Sequence, residues 1–247
     1  MTRAAESTYA PINTLKRVCD DVWIVDGPVI RFGMPWPKMP FPTRMTIVRT
    51  ADDALLVHSP TPLVPSLAAE VEALGTPRWI VGPNRIHYWW IGDWKAAYGA
   101  ADVYLAPRIM EQAGRRMDFP FSALDRDGGY PWSGEIETLP VTGSFMTEVE
   151  FFHRASRTLV LTDFIESFEA RKLSPLLRLV ARLGGVMDPD GQMPRDMRLT
   201  FSKQRAALKD AVEKMIAWDP ERVIFAHGKW YERNGADELR RAFRWLL

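Results

Sequence analysis

Residues 78–94 read R-W-I-V-G-P-N-R-I-H-Y-W-W-I-G-D-W, and the order of their parts decides the fold class. The apolar run Trp79, Ile80, Val81 breaks at Gly82-Pro83-Asn84, and a tryptophan-rich amphipathic segment begins just after His87, which predicts strand, tight loop, helix. In α/β folds such a junction is where sites are built, because loops beyond the carboxyl ends of strands present polar groups over an apolar sheet. The next apolar run, 103–105, follows the segment 88–98, and strand, helix, strand at that spacing implies a parallel crossover.

Upstream, 22–25 (V-W-I-V) reads as the first strand, and 45–48 with 55–57 flank the turn signal Ala51-Asp52-Asp53 as a hairpin. Residues 65–74 place Leu67, Val71 and Leu74 at helical spacing, with Pro65 in the first turn and Gly75 to stop it. Between the first strand and the hairpin, 28–42 holds so many prolines that neither a regular helix nor a central strand is expected. It reads as a loop packed by its own Phe32, Trp36 and Phe41, or as a lid over a pocket.

Downstream, periodicity is lost over 112–131, where Asp125 to Gly129 is a loop signature. Strands are expected at 135–139, 148–152 and 158–161, with 154–157 as a tight connection. Residues 173–183 read as a helix. The stretch 188–196 is a loop without the oxygen-ligand spacing of a calcium hand. Phe201, Leu208, Val212, Met215 and Ile216 share one face of a long helix, 223–225 is a last strand and 237–246 a closing helix. With no repeat and no linker, one domain is expected over 14–247 behind a tail of 1–13. The mixed pattern is α/β (α+β), two packed sheets flanked by helices.

At 247 residues and 47% hydrophobic the chain can bury a full core. Lysine plus arginine, 32, balance aspartate plus glutamate, 31, so no net field draws nucleic acid or an anionic membrane, and a small-molecule substrate or ligand is the expected partner. The single cysteine, Cys19, excludes an internal disulfide framework and suits a reducing cytoplasm, where it reads as structural. The N-terminal residues have the character of neither a signal peptide nor an anchor, and no apolar run approaches the roughly 20 residues of a membrane span. A G-x-S-x-G elbow, a P-loop and a dinucleotide-binding glycine motif are all missing.

Chemistry gathers at strand ends. His87 follows one strand by a short loop, T-L-V-L-T-D ends at Asp163, and V-I-F-A-H-G ends at His227. Two imidazoles and a carboxylate at one sheet edge suit a single zinc, manganese or iron(II) ion with open positions. The alternative is a hydrogen-bonded trio that holds three loops together without metal. Of the other candidates, His58 is expected to make a buried structural hydrogen bond, Glu148 and Glu150 to share a solvated strand face, and His153 to be exposed. Tyr88, Trp89, Trp90 and Trp94 read as core, while Lys229 and Trp230 are candidates for contacts at the mouth of a site.

The order His58-Ser59-Pro60, then P-N-R-I-H at 83–87, then S-R-T-L-V-L-T-D at 156–163, then His227-Gly228 resembles a degenerate metallo-β-lactamase fold. In particular it is similar to an uncharacterised branch, domain-of-unknown-function family 4336, from about Thr14 onward. The resemblance implies an αββα sandwich of two mixed sheets with helices outside. It also implies that Asp163 matches the bridging aspartate and His227 the last histidine, with His87 near the aspartate or final histidine of H-x-H-x-D-H. Pro83 and Arg85 stand for the first two histidines of that motif, and Ser144, in Thr142-Gly143-Ser144-Phe145, for the next ligand. The expected protein is a hydrolase-like enzyme with His87, Asp163 and His227 as both catalytic and metal-binding residues. It would hold at most one divalent ion and lack two-zinc β-lactamase activity. The alternative is a non-catalytic binding or scaffold protein that keeps the fold without metal.

Overall fold

Leu55, Leu56 and Val57 point alternately to opposite faces of one strand, yet all three are buried. A strand apolar on both faces must be covered on both, and the covering layers define the architecture. The structure, a computed structural model, describes residues 8–32 and 39–247. The first sheet runs in chain order: β1 (Lys16–Cys19), β2 (Val22–Phe32), β3 (Met39–Arg49), β4 (Ala54–His58), β5 (Thr76–Gly82), β6 (Asp102–Leu105) and β7 (Ser122–Ala123). Its first four strands are antiparallel, and β4 through β7 pair parallel. The helices α1 (Pro65–Glu72), α2 (Ile91–Ala97) and α3 (Ile109–Ala113) lie between its parallel strands in the chain.

The second sheet has the order β12-β10-β9-β8, from β8 (Ile136–Thr142), β9 (Thr147–His153), β10 (Thr158–Val160) and β12 (Arg222–Ile224). A small parallel pair, β11 (Glu166–Ser167) with β13 (His227–Gly228), extends the same end. The helices here are α4 (Pro175–Gly184), α5 (Arg195–Thr200), α6 (Arg205–Ala217) and α7 (Gly235–Ala242). Among the described residues no helix is long and apolar enough to cross a membrane.

Three apolar clusters show the layering. Leu56, Trp79, Val81 and Tyr104 of the first sheet meet Val149, Phe151 and Val160 of the second, with Trp132 of the turn before β8 in the same cluster, so these faces look at each other. Leu55, Val57 and Ile80 face the other way, onto Leu67 and Val71 of α1 and Ile91 and Trp94 of α2. Phe152 and Leu159 turn to Leu208, Val212 and Met215 of α6 and Leu239 of α7. The result is the αββα sandwich anticipated from the strand order.

The elements depart from expectation in instructive places. A strand, β1, precedes the first one anticipated, and it contains half-buried Cys19, whose Sγ lies 3.8 Å from Thr158 Oγ1. The proline-rich stretch is mostly strand: β2 continues to Phe32, β3 starts at Met39, and Val29, Ile30 and Arg31 pair with Pro42, Phe41 and Pro40. Pro40 and Pro42 are two apart, so their missing donors fall on one edge of β3, at a level that β4, paired with β3 only from Thr46 onward, does not reach. Trp36 lies outside the described residues, as does the Phe32 side chain. Phe201 falls between α5 and α6, not on one long helix, and its ring packs edge-on to Phe164 at 5.4 Å.

One buried charge binds the two halves. Arg44 on β3 pairs with Asp26 at 2.7 Å and donates from Nη1 to the carbonyls of Phe225 and Gly228 at 2.7 and 2.9 Å. Lys16 also reaches Asp26, at 2.8 Å. Arg44→Met removes three hydrogen-bonding interactions at once and leaves two carbonyls and part of a carboxylate unpaired in the interior. It is expected to lower unfolding free energy by about 3–5 kcal/mol. A urea midpoint unchanged from wild type refutes this clamp.

Candidate metal centre

Four strands end at one edge of the sandwich, and each delivers a polar residue there. β4 leads into Ser59, β5 into Asn84 and His87, β10 into Asp163, and β12 into His227. β9 runs antiparallel to β10, so its first residues, including Glu148, start at the same edge. His87 Nε2 lies 3.2 Å from Asp163 Oδ2, and His227 Nε2 lies 3.1 Å from Asp163 Oδ1. One ligand atom from each of the three residues falls within 4.8 Å of the others, all three side chains being buried. The trio picked out from strand ends is therefore brought together.

What orients the trio comes from further residues. His227 Nδ1 is 2.7 Å from the Pro42 carbonyl, which only accepts, so Nδ1 carries the hydrogen and Nε2 is directed at Asp163. His87 Nδ1 is hydrogen-bonded to Ser59 Oγ at 2.7 Å. Ser59 sits at φ 53°, a left-handed conformation that costs a non-glycine residue energy and is kept here by its surroundings. Gly228, at φ 101°, turns the chain just after His227, where a Cβ would fall 2.1 Å from the Ser167 carbonyl oxygen. Asn84 Nδ2 donates to Asp163 Oδ2 at 2.6 Å, and its Oδ1 accepts from the amides of Ile86 and His87, closing the loop that carries His87.

Glu148 holds the third loop. Its Oε1 accepts from the backbone amides of Thr162, Asp163 and Phe164 at 2.8, 2.9 and 3.1 Å, and its Oε2 from Asn84 Nδ2 at 3.1 Å. This corrects the expectation of a solvated face: Glu148 and Glu150 are both 0% exposed. The reason lies in the layering, since the face of β9 carrying Phe152 is covered by α6 and α7. His153 is likewise buried, not exposed, with Nδ1 2.8 Å from Ser156 Oγ. It stands at the far end of β9, about 16 Å from the Glu148 end at 3.3 Å per residue. His58 is buried as expected, but its Nε2 has no hydrogen-bond partner, and its ring packs edge-on to Phe151 at 5.2 Å.

The electrostatics follow from burial and from the trio's contacts. Burial alone raises the Asp163 carboxyl, but the charges and hydrogen bonds of His87 and His227 outweigh it and hold the group well below the usual carboxylate range. For His227, burial works against the charged form, and the Asp163 carboxylate overcomes it, so the imidazole is shifted upward. Burial next to His87 pushes His58 down to about 3, leaving it neutral. Glu148 is pushed up to about 7 by burial and by Asp163, against the pull of its three amide donors. Glu166, paired with His227 across β11 and β13, is raised to about 8 by burial foremost.

Arg85 and Ser144, which the resemblance sets at ligand positions, are hydrogen-bonded elsewhere. Arg85 donates to the Phe145 carbonyl and lies 4.9 Å over the Phe145 ring. Ser144 Oγ donates to the Thr200 carbonyl at 2.8 Å. Tyr88 and Trp94 are core, as anticipated; Lys229 is exposed, and Trp230 packs against the apolar clusters, neither among the residues of the cavity beside the trio. That cavity, of about 580 Å³, is bordered by His87, Asp163, His227 and Glu166, and by apolar residues of the β2–β3 hairpin and α4.

The sequence profile of a domain of unknown function, DUF4336, matches residues 21–179. The chain belongs to the DUF4336 family. The matched span includes Ser59, Asn84, His87, Glu148, Asp163 and Glu166 but stops short of His227. No curated protein matches this DUF4336 chain. Among solved structures, the DIM-1 metallo-β-lactamase exposed to ceftazidime superposes with a TM-score of 0.60 at 11% identity, over 94% of this chain and 97% of that one. A metallo-β-lactamase from Hirschia baltica gives 0.58 at 16%, over 94% and 96%. FIM-1 from Pseudomonas aeruginosa, in a mono-zinc form, gives 0.55 at 14%, over 95% and 96%. At these identities the likeness shows the fold: this DUF4336 protein has the metallo-β-lactamase architecture.

Sequence reasoning missed Ser59, Asn84 and Glu166 and misplaced Glu148. The signal for Asn84 was its place in the strand–loop junction at 82–87; for Glu166 there was none, because its role comes from pairing with β13. Glu150 gives a pH test. Its two carboxyl oxygens are buried without a partner, and burial beside Glu148 and Asp163 raises it well above 4.5. A raised carboxyl favours the fold below its unfolded value and costs stability as pH climbs through the gap, by up to about 1.4 kcal/mol per pH unit. Glu150→Gln is therefore expected to be more stable than wild type near neutral pH, with the difference vanishing towards about pH 4. Urea denaturation at both pH values checks it, and a pH-independent difference rules it out.

Proposed function

We propose that this protein is a hydrolase-like enzyme whose His87, Asp163 and His227 hold one divalent ion, zinc, manganese or iron, and that it acts on a small-molecule substrate in the cytoplasm rather than on nucleic acid or a membrane. The observation that carries the reading is the orientation of His227. Because the Pro42 carbonyl takes its Nδ1 hydrogen, the Nε2 lone pair faces a carboxylate 3.1 Å away, an arrangement that calls for a cation between or upon them. His87 can match it, since the Ser59 hydroxyl either donates to Nδ1 or accepts from it. Two imidazoles tied at their outer nitrogens and a carboxylate tied by Asn84 make a donor set fit for such an ion.

When bound, an ion there supplies Lewis-acid polarisation of a carbonyl or phosphoryl oxygen. The chain's own residues do the rest. The hairpin's Phe41 and α4 wall the cavity, and Glu166, whose carboxyl is pushed up to about 8 by burial in the metal-free site, stands at the cavity wall near His227 as a proton-holding group. A single ion is the limit, since Arg85 and Ser144 are committed elsewhere, so two-zinc β-lactamase activity is not expected. A second reading, a binding protein that keeps the fold without metal, is favoured by one fact: Asn84, His87 and His227 together already surround the Asp163 carboxylate.

Elemental analysis of protein purified without chelator separates the two. About one ion per chain, lost in Asp163→Ala while the circular dichroism spectrum is kept, is the expected result. Metal-free wild-type protein with an intact fold selects the binding reading, and β-lactam turnover at two zinc ions per chain overturns both.

A further inference from the structure

The cavity beside the trio has a shape and lining of its own. Leu177, Ala181 and Gly184 border it, a stripe along one face of α4 that at 1.5 Å per residue is about 10 Å long, and Leu173, just ahead of the helix, continues the same wall. At the trio the apolar wall begins at once: the Phe41 ring is 5.1 Å from His227 and 6.2 Å from Phe168. Polar groups of the lining are His87, Asp163, Glu166 and His227 at the trio, and Arg195 and Asp196 at the start of α5, where Arg195 donates to the Leu183 carbonyl near the end of α4. Between them the lining is apolar, so the part of a ligand lying there needs no hydrogen-bonding groups and would be penalised for carrying them.

α4 is also under-covered. Ser174 Oγ caps it and Gly185 closes it in the left-handed conformation, but only Ala181 is buried. Val180 and Leu183, which border the cavity, are 42% and 63% exposed, in contrast to α6 and α7, whose apolar faces are packed. An apolar ligand laid along the stripe would cover them.

We infer that the cavity binds a single-chain amphiphile, its linear alkyl portion along α4 and an uncharged, carbonyl- or hydroxyl-type head at His87, Asp163 and His227. The elongated stripe selects a chain over a compact ring. The hydrogen-bonding groups of His87, Asp163, Glu166 and His227 at the head end suit a carbonyl or hydroxyl, and a neutral head brings no further charge into this buried end. This rests on the proposed function only for what happens to the head; the chain site stands without metal.

The test uses the full chain stripped with chelator, with linear primary alcohols of increasing length displacing 1-anilinonaphthalene-8-sulfonate. Affinity is expected to rise about fourfold per methylene until the cavity is filled, and cyclic alcohols of equal carbon number are expected to bind at least tenfold more weakly. Val180→Asp and Leu177→Asp, at positions that are not fully buried, should flatten the series while leaving the melting temperature within a few degrees of wild type. Should one variant misfold, the other and the cyclic series decide. Asp163→Ala should lose any metal yet keep the slope, so a failed metal site and a failed chain site give different results. A flat series in wild type, equal binding of cyclic alcohols, or an unchanged slope in a folded Val180→Asp protein overturns the inference. So does a dimer that buries α4 and excludes the probe.

Discussion

The Glu148 carboxylate, accepting three consecutive main-chain amides at 162–164 and the amide of Asn84, is the constraint on which this site depends. It fixes the loop after β10, so Asp163 is presented at the sheet edge with both oxygens forward. Asn84, shared between Glu148 and Asp163, ties that loop to the one after β5, and His87 follows within three residues. A buried carboxylate without such donors would cost several kcal/mol; with them it becomes the bracket of the site. The His227 loop is held from the other side, by Arg44 and the Pro42 carbonyl of β3. Every member of the trio is thus positioned by a group from a different strand, which keeps three short loops in register.

Much of this was legible in the sequence because strands in a sandwich are short and announce their ends. V-G-P-N, L-T-D and F-A-H-G each mark an apolar run terminating in a polar residue, and that placed His87, Asp163 and His227 at one edge without any structure. What was not legible depends on the partner layer. Glu148 and Glu150 alternate with Val149 and Phe151, and alternation alone cannot tell a solvated face from one that helices far downstream will cover. The proline-rich hairpin failed for a related reason. Proline forbids a ladder bond only where a neighbour is waiting for it, and whether one is waiting is a matter of topology, not of local composition. Glu166 joined the site through a two-residue parallel bridge too short to leave a periodic signal.

Arg85 and Ser144 are committed to one local set of hydrogen bonds. Arg85 bonds to the Phe145 carbonyl, Arg108 to the carbonyls of both Ser144 and Phe145, and Ser144 to Thr200. These bonds turn the loop around 142–146 into a strut between α3 and α5, so Arg85, Arg108 and Ser144 carry a structural task. A histidine at 144 would lose the side-chain bond to the Thr200 carbonyl and keep the main-chain one, at 2.9 Å.

On the proposed reading, a proton and a divalent ion compete for the same place. His227 Nδ1 is committed to the Pro42 carbonyl, so the charge that neutralises Asp163 would be either a proton on Nε2 or an ion held by the trio. His227 is shifted upward because its bond and charge interaction with Asp163 outweigh burial, so Asp163 favours that proton. An ion must displace it, which couples metal affinity to pH and makes the metal-free trio a stable hydrogen-bonded arrangement instead of a strained one. The same geometry thereby accounts for how a chain with three ligands can keep its site assembled whether or not an ion is bound. In the metal-free arrangement the buried Asp163 charge is already compensated, by both imidazoles and by Asn84, so the three loops stay together before any ion arrives.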